Sequence, residues 1–302
     1  MSIEVKNITK KYGQQKALDN VSFRVEAGEI VGFLGPNGAG KSTMMKIITG
    51  YLPASEGNAF INDINVIEHP LKIRKLIGYL PENNPLYPDM YVREYLEFVA
   101  GIFHIKNSKA RIAEVIEQTG LSPEIHKKIS ALSKGFKQRV GLAQAIIHDP
   151  EVLILDEPTS GLDPNQIVEI RNLIAELGKK KTVLLSTHLM QEVQAICKRI
   201  LIVNKGVLVA DNSTGNIANV ADSNKISVIV EFETEINTKE LMKIKGVEQV
   251  ATLKDRCYIL EGRKDQDIRP HLMKYAVENN RNILNLSEKS KNLEEVFQEL
   301  TK

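Results

Sequence analysis

Ile30-Val31-Gly32-Phe33-Leu34-Gly35-Pro36-Asn37-Gly38-Ala39-Gly40-Lys41-Ser42-Thr43 is the stretch on which the fold turns. A short apolar run enters a glycine-rich turn matching GxxxxGK[ST], and the residues after it carry a helical pattern. Strand, turn and helix in that order make a cradle for phosphate. Glycines let the backbone curl so that successive N–H groups converge on an anion, and the helix opening at Lys41 adds its positive dipole end. Lys41 is placed to reach the β- and γ-phosphates of a nucleotide, the Ser42 hydroxyl to ligand Mg²⁺, and Thr43 to contact the α-phosphate. Gly35, Asn37, Gly38, Ala39 and Gly40 supply the backbone of the loop.

Val152-Leu153-Ile154-Leu155-Asp156-Glu157 is a second apolar strand, and it ends in two carboxylates. A strand this apolar is expected to be buried, so Asp156 at its end requires a cation. Mg²⁺ held through Asp156 meets that need. Glu157 falls on the other side of the pleat, where it can face an attacking water as general base. Together the two motifs indicate a nucleotide hydrolase and leave many families of them open.

Further strands are expected at Ile3–Lys6, Val21–Val25, Leu76–Leu80, Thr182–Ser186, Ile200–Asn204 and Gly206–Ala210. Several are continuous Val/Ile/Leu, as strands covered on both faces of a parallel sheet should be. Helices are expected near Lys41, Asn165 and His188, giving an α/β core. From about 90 to 150 the pattern is helical without strands (Val92–Phe103, Ala110–Thr119, Pro123–Lys127, Lys137–Ile147), which reads as a helical insertion. Asp211–Asn224 is polar and reads as a linker. Beyond it the order strand, helix, strand, strand, helix, strand, helix predicts a small α+β, ferredoxin-like domain. The division is thus 1–215 for the nucleotide-binding domain, with a helical subdomain at about 90–150, and 225–302 for an accessory domain.

The 302 residues are 42% hydrophobic and 26% charged, an ordinary globular composition. A net charge of +2 excludes a dedicated nucleic-acid binder. Cys197 and Cys257 lack metal-ligand or CxxC spacing, and read as thiols in a reducing compartment. There is no leader-like start and no run of about 18 apolar residues, so any membrane role is expected to come through a partner.

Leu132-Ser133-Lys134-Gly135-Phe136-Lys137-Gln138-Arg139, shortly before the acidic strand, resembles the LSGGQ signature of ABC ATPases. Lys134 stands where that motif has its first Gly and Phe136-Lys137 come ahead of the Gln, here Gln138, while Ser133 and Gly135 are kept. Physically the segment is a second anion site, with a hydroxyl, a close-approach glycine and a helix N-terminus. Tyr12 matches the aromatic that stacks on adenine, Ser160-Gly161-Leu162-Asp163 the D-loop, and His188 the switch histidine that senses γ-phosphate. The chain departs from the family at Glu82, where the Q-loop usually has Gln; a carboxylate accepts hydrogen bonds but cannot donate to phosphate. Within the family, Tyr79–Tyr87 and Leu132–Arg139 look like the ATP-binding subunit of the gliding-motility-associated transporter, and Leu293–Phe297 recurs at the close of such subunits.

The resemblance implies a head-to-tail dimer, most simply of two copies, in which Ser133 and Gly135 of one subunit cover the ATP held by the other. It also implies a separate integral-membrane permease, seated near Glu82–Tyr95 and working in export, with this chain at the cytoplasmic face. Two other readings stand beside it at this point: a soluble ABC ATPase acting on ribosomes, DNA or iron–sulfur assembly, and a non-hydrolysing regulatory subunit. The chain lacks a second cassette and long coiled-coil insertions, and Asp156, Glu157 and His188 weigh against the second.

Overall fold

Two sheets of different kind meet on one helix, because the helix after the phosphate loop is apolar on more than one side. The computed structural model describes residues 2–213, 225–263, 265–288 and 293–301. The chain divides into two compact units, Met1–Gly215 and Asn216–Leu300.

The first unit begins with β1 (Ile3–Tyr12), β2 (Gln15–Val25), β3 (Ile30–Leu34), α1 (Lys41–Ile48), β4 (Glu56–Ile61), β5 (Ile64–Asn65), α2 (Pro70–Leu76) and β6 (Ile77–Leu80). Three helices follow without a strand: α3 (Val92–Ile102), α4 (Ser108–Gln118) and α5 (Lys134–Ile146). The unit closes with β7 (Val152–Asp156), α6 (Pro164–Gly178), β8 (Thr182–Thr187), α7 (Met190–Ile196), β9 (Arg199–Asn204) and β10 (Val207–Ser213).

The larger sheet has the order β10-β9-β3-β8-β7-β6. Its strands are parallel apart from the β10 edge, which pairs antiparallel with β9. Strands covered on both faces need no polar side, and all five residues of β7 are buried. The second sheet, β2-β1-β4-β5, is antiparallel. Met44, Met45, Ile47 and Ile48 of α1 join a cluster with Ile3, Val21 and Phe23 of the antiparallel sheet and Val31, Ile154 and Leu184 of the parallel one. Each such side chain contributes about 1.5–3 kcal/mol when fully buried, so the phosphate-loop helix is anchored from two sides.

The strands expected from the sequence are present, with longer ends at β1, β2 and β10. The expected helix at Pro123–Lys127 is a single 3₁₀ turn, Ser122–Glu124, because Pro123 sets φ for a turn but the segment is too short to propagate. The first residues of the expected linker, Asp211–Ser213, are strand instead. Asp211, Asn212 and Ser213 extend β10 against β9, and Asp211 pairs with Arg199 at 2.6 Å, which draws a polar residue into the strand edge. The rest of that stretch, 214–224, lies outside the described residues.

The second unit contains β11 (Lys225–Phe232), α8 (Thr238–Leu241), β12 (Val247–Lys254), β13 (Cys257–Arg263), α9 (Ile268–Glu278), β14 (Ile283–Glu288) and α10 (Leu293–Leu300). Its antiparallel sheet runs β12-β13-β11-β14, the order of a split βαβ fold. Val228, Val230 and Phe232 turn one face of β11 toward Leu272 and Ala276 of α9 in a separate core.

Candidate functional site

The C-terminal ends of β3, β6, β7 and β8 all deliver side chains to one cavity of about 390 Å³, the usual position for a ligand in an open parallel sheet. After β3 come Asn37, Gly38, Gly40, Lys41, Ser42 and Thr43; after β6, Glu82; after β7, Glu157 and Ser160; after β8, His188. Ala17 of β2 closes the wall.

The loop's shape is dictated by contacts that only glycine tolerates. Gly40 has φ of +106°, and a Cβ there would sit 2.5 Å from the Ala17 carbonyl. A Cβ on Gly35 would meet the Val203 carbonyl at 2.5 Å. Lys41 Nζ donates to Gly35 O at 2.8 Å and Pro36 O at 3.3 Å, so the ammonium folds over the turn it follows. It also lies 3.2 Å from Glu157 Oε1, and both residues are nearly buried.

Asp156 is 1% exposed. Its Oδ1 accepts from Ser42 Oγ at 3.2 Å and from Ser186 Oγ at 2.5 Å. Burial holds the Asp156 carboxyl above its ordinary range, and the two hydroxyls pull it partly back. Glu157 is turned by its backbone rather than by strand alternation, at a φ of +49° that is costly for a residue with a Cβ. Glu157 N, bonded to Ser186 O and Ser186 Oγ at 3.1 Å each, holds that turn. The carboxylate therefore points back into the cavity, where Oε2 lies 2.9 Å from His188 Nδ1. A carboxylate oxygen can only accept, so an N–H at Nδ1 would donate across this contact.

Ser133, Gly135 and Gln138 do not line this cavity. Ser133 caps α5 by accepting from Phe136 N at 3.3 Å, Gln138 is buried in α5, and a Cβ on Gly135 would meet Gln166 at 2.7 Å. Asp163 likewise caps α6, accepting from Gln166 N at 3.0 Å, while Ser160 is the D-loop residue in the wall. Tyr12 is 51% exposed at the end of β1 and is not part of the lining; Lys10 Nζ lies 5.4 Å from its ring centre. Ala39 is buried beneath the loop. Ala17 and Ser186 are site residues that the sequence did not mark. Ser186 had a weak signal, as a hydroxyl at the end of an apolar strand.

A larger cleft of about 980 Å³ lies among α4, α5 and α6. Within it Arg139 pairs with Glu169 and Lys181 with Asp149, and the phosphate loop is not part of it. The chemistry belongs to the smaller cavity.

A glycine-rich anion cradle, a buried lysine, a strand-end aspartate beside a hydroxyl and an adjacent glutamate define a P-loop nucleotide hydrolase. Residues 18–160 match the ABC transporter family. Linearmycin resistance ATP-binding protein LnrL of Bacillus subtilis is 32% identical over 99% of this chain and 98% of its own length. Bacitracin transport ATP-binding protein BcrA of Bacillus licheniformis is 33% identical over 99% of this chain and 96% of its own. The dimeric structure of MJ0796, a bacterial ABC transporter cassette, superposes with a TM-score of 0.64 at 30% identity, covering 70% of this chain and 98% of that one. MJ0796 is also known in a post-hydrolysis state bound to ADP and Pi. The chain belongs to the ATP-binding proteins of ABC transporters, and it is an ATP-binding, ATP-hydrolysing subunit.

Proposed function

We propose that this subunit works as a head-to-tail dimer, with ATP sandwiched between two copies, to drive export through a separate integral-membrane permease. The observation that carries the reading is the separation of the two anion-binding elements. Lys41, Glu157 and His188 share one cavity, whereas Ser133 and Gly135 lie on the capped end of α5 outside it. One chain thus offers two half-sites, and a second copy related by a two-fold axis completes both.

In this reading the phosphate-loop amides and Lys41 bind the phosphates, and Thr43 contacts the α-phosphate. Exposed Tyr12 is free to stack on adenine, and Glu82 accepts a hydrogen bond from water at the cavity edge. The Ser42 hydroxyl and the Asp156 carboxylate are hard oxygen donors side by side, a set that suits Mg²⁺. Their number suits it too, since Mg²⁺ leaves much of its shell to phosphate and water. When bound, Mg²⁺ supplies charge neutralisation for the phosphates. Glu157 takes a proton from the attacking water, and His188 orients that carboxylate and faces the γ-phosphate. Loss of the γ-phosphate then releases the contacts that hold the dimer shut.

Among the described residues no helix is long and apolar enough to cross a membrane. In the proposed arrangement the permease is a separate chain that holds this one at the cytoplasmic face. Its seat is the exposed aromatic patch of Tyr87, Tyr91 and Phe98, where Tyr87 packs 5.6 Å from Phe98. The names of LnrL and BcrA favour export of an antibiotic-like cargo. A narrower role in gliding motility rests on the resemblance at Tyr79–Tyr87 and Leu132–Arg139. Residues 1–215 form the nucleotide-binding domain, with its helical subdomain at about 90–150, and 225–302 an accessory domain. Capture of a tagged chain from solubilised membranes should bring down a polytopic protein and a second copy of this chain; recovery of ribosomes or cytosolic proteins alone would overturn the reading.

A further inference from the structure

Glu192 is a buried carboxylate, 3% exposed, in the first turn of α7, and it forms no ion pair among the described residues. A buried charge without a cation is costly unless hydrogen bonds satisfy it. Its two oxygens are taken by two hydroxyls. Oε1 accepts from Thr159 Oγ1 in a short hydrogen bond, and Oε2 accepts from Thr187 Oγ1 at 2.7 Å. Thr187 Oγ1 in turn accepts from Leu189 N at 3.0 Å. Both threonines are buried.

The two hydroxyls belong to the two loops that carry the reacting groups. Thr159 lies between Glu157 and Ser160 after β7, and Thr187 immediately precedes His188 at the end of β8. One carboxylate thus clamps both loops from below the cavity without lining it. An apolar side chain would fill this space without the desolvation cost, but it could not tie two hydroxyl donors together. The clamp adds to the Ser186 hydrogen bonds around the left-handed turn at Glu157, since a strained backbone persists only where its surroundings over-determine it.

We propose that Glu192 is a positioning residue for ATP hydrolysis, fixing the Glu157–Ser160 loop against the His188 loop so that Glu157 and His188 keep their 2.9 Å contact. This rests on the reading that Glu157 and His188 act on water and γ-phosphate. Small displacements of such groups are expensive in rate.

The test is steady-state ATP hydrolysis by the full chain carrying Glu192→Leu, Glu192→Gln, Thr159→Val or Thr187→Val, each compared with the parent and with Glu157→Gln. The valine variants remove one hydroxyl at nearly constant shape, so they remain informative if Glu192→Leu fails to fold. For Glu192→Leu and the valine variants kcat should fall on the order of 10- to 100-fold, while KM for ATP stays within about twofold because the phosphate loop is untouched. Glu192→Gln, which keeps one acceptor oxygen, should recover part of the loss. A lower Tm with unchanged kcat per folded molecule would reduce Glu192 to a packing role and overturn the proposal, as would a rise in KM at constant kcat. If Glu157→Gln hydrolyses ATP at the parental rate, the reading of the site falls and the proposal with it. If Glu157→Gln is inactive and the Glu192 and threonine variants are fully active, only the positioning role falls.

Discussion

His188 Nδ1 and Glu157 Oε2 are 2.9 Å apart, and the imidazole is 41% exposed while the carboxylate is almost fully enclosed. The histidine therefore touches the carboxylate from the cavity side, and its ring stays partly exposed there. Glu157→Gln should bind ATP, lose about 10²- to 10⁴-fold in kcat and accumulate as a dimer with ATP. Parental turnover in that variant would remove Glu157 from the mechanism. His188→Ala should cost on the order of 10²-fold in kcat with little change in ATP affinity, readable by single-turnover hydrolysis against nucleotide binding.

Ser186 gives a second prediction. Its hydroxyl donates to Asp156 Oδ1 at 2.5 Å and accepts from Glu157 N at 3.1 Å, so one side chain orients both acids. Ser186→Ala should raise the Mg²⁺ concentration needed for half-maximal hydrolysis about 10- to 100-fold, the usual effect of losing a hydrogen bond that orients a metal ligand. A Mg²⁺ titration at saturating ATP measures it, and an unchanged midpoint would show that Asp156 does not depend on this bond.

The parallel sheet was legible because β3, β7 and β8 are short apolar runs, β3 leading straight into Gly35 and the others ending in Asp156 and Thr187, each strand announced by its own composition. The antiparallel sheet was only half legible. β4 begins Glu56-Gly57-Asn58 and buries only Ala59 and Ile61, too few positions for an alternating pattern to stand out. β1 continues past Lys6 through Asn7 at φ of +51°, a shift of register that breaks the period of two. In the site, residues whose chemistry is local were found from their motif. Glu157's orientation, Ala17's carbonyl under Gly40 and the hydroxyls of Ser186 and Thr187 depend on strands brought together from distant sequence, and no spacing encodes them.

Glycine positions separate packing from propensity. Gly78 in β6 lies under α5, where a Cβ would meet the Ala145 carbonyl at 2.1 Å and Pro150 at 2.9 Å. Gly78→Ala should destabilise the chain by about 1–3 kcal/mol through overpacking. Gly101 in α3 has nothing within 4 Å of a built Cβ and a helical backbone. Gly101→Ala should therefore stabilise by about 0.5–1 kcal/mol through the lower entropy of the unfolded chain. Thermal unfolding of the pair checks the opposite signs; equal shifts would show that the close approach at Gly78 is absent.

His148 gives a prediction for stability against pH. Its Nε2 lies 2.9 Å from Ile77 O, its Nδ1 is buried without a hydrogen-bond partner, and its ring stacks on Phe103 with centres 3.9 Å apart. Burial pushes its pKa below the ordinary value, helped by Lys181 and Arg111 and opposed by the Ile77 carbonyl. A second proton would have to sit on Nδ1, where no acceptor waits. Because the folded pKa is lowered, the unfolded chain takes up the proton first as pH falls. Stability is therefore undiminished above about 6.5, the ordinary histidine value, and declines below it until the folded pKa is reached. His148→Gln retains a donor for Ile77 O and removes the titration. Between neutral pH and about pH 5.5, within the range where an ordinary histidine charges, the variant should lose less unfolding free energy than the parent in urea denaturation. Equal losses in the two proteins would assign the acid sensitivity to another group.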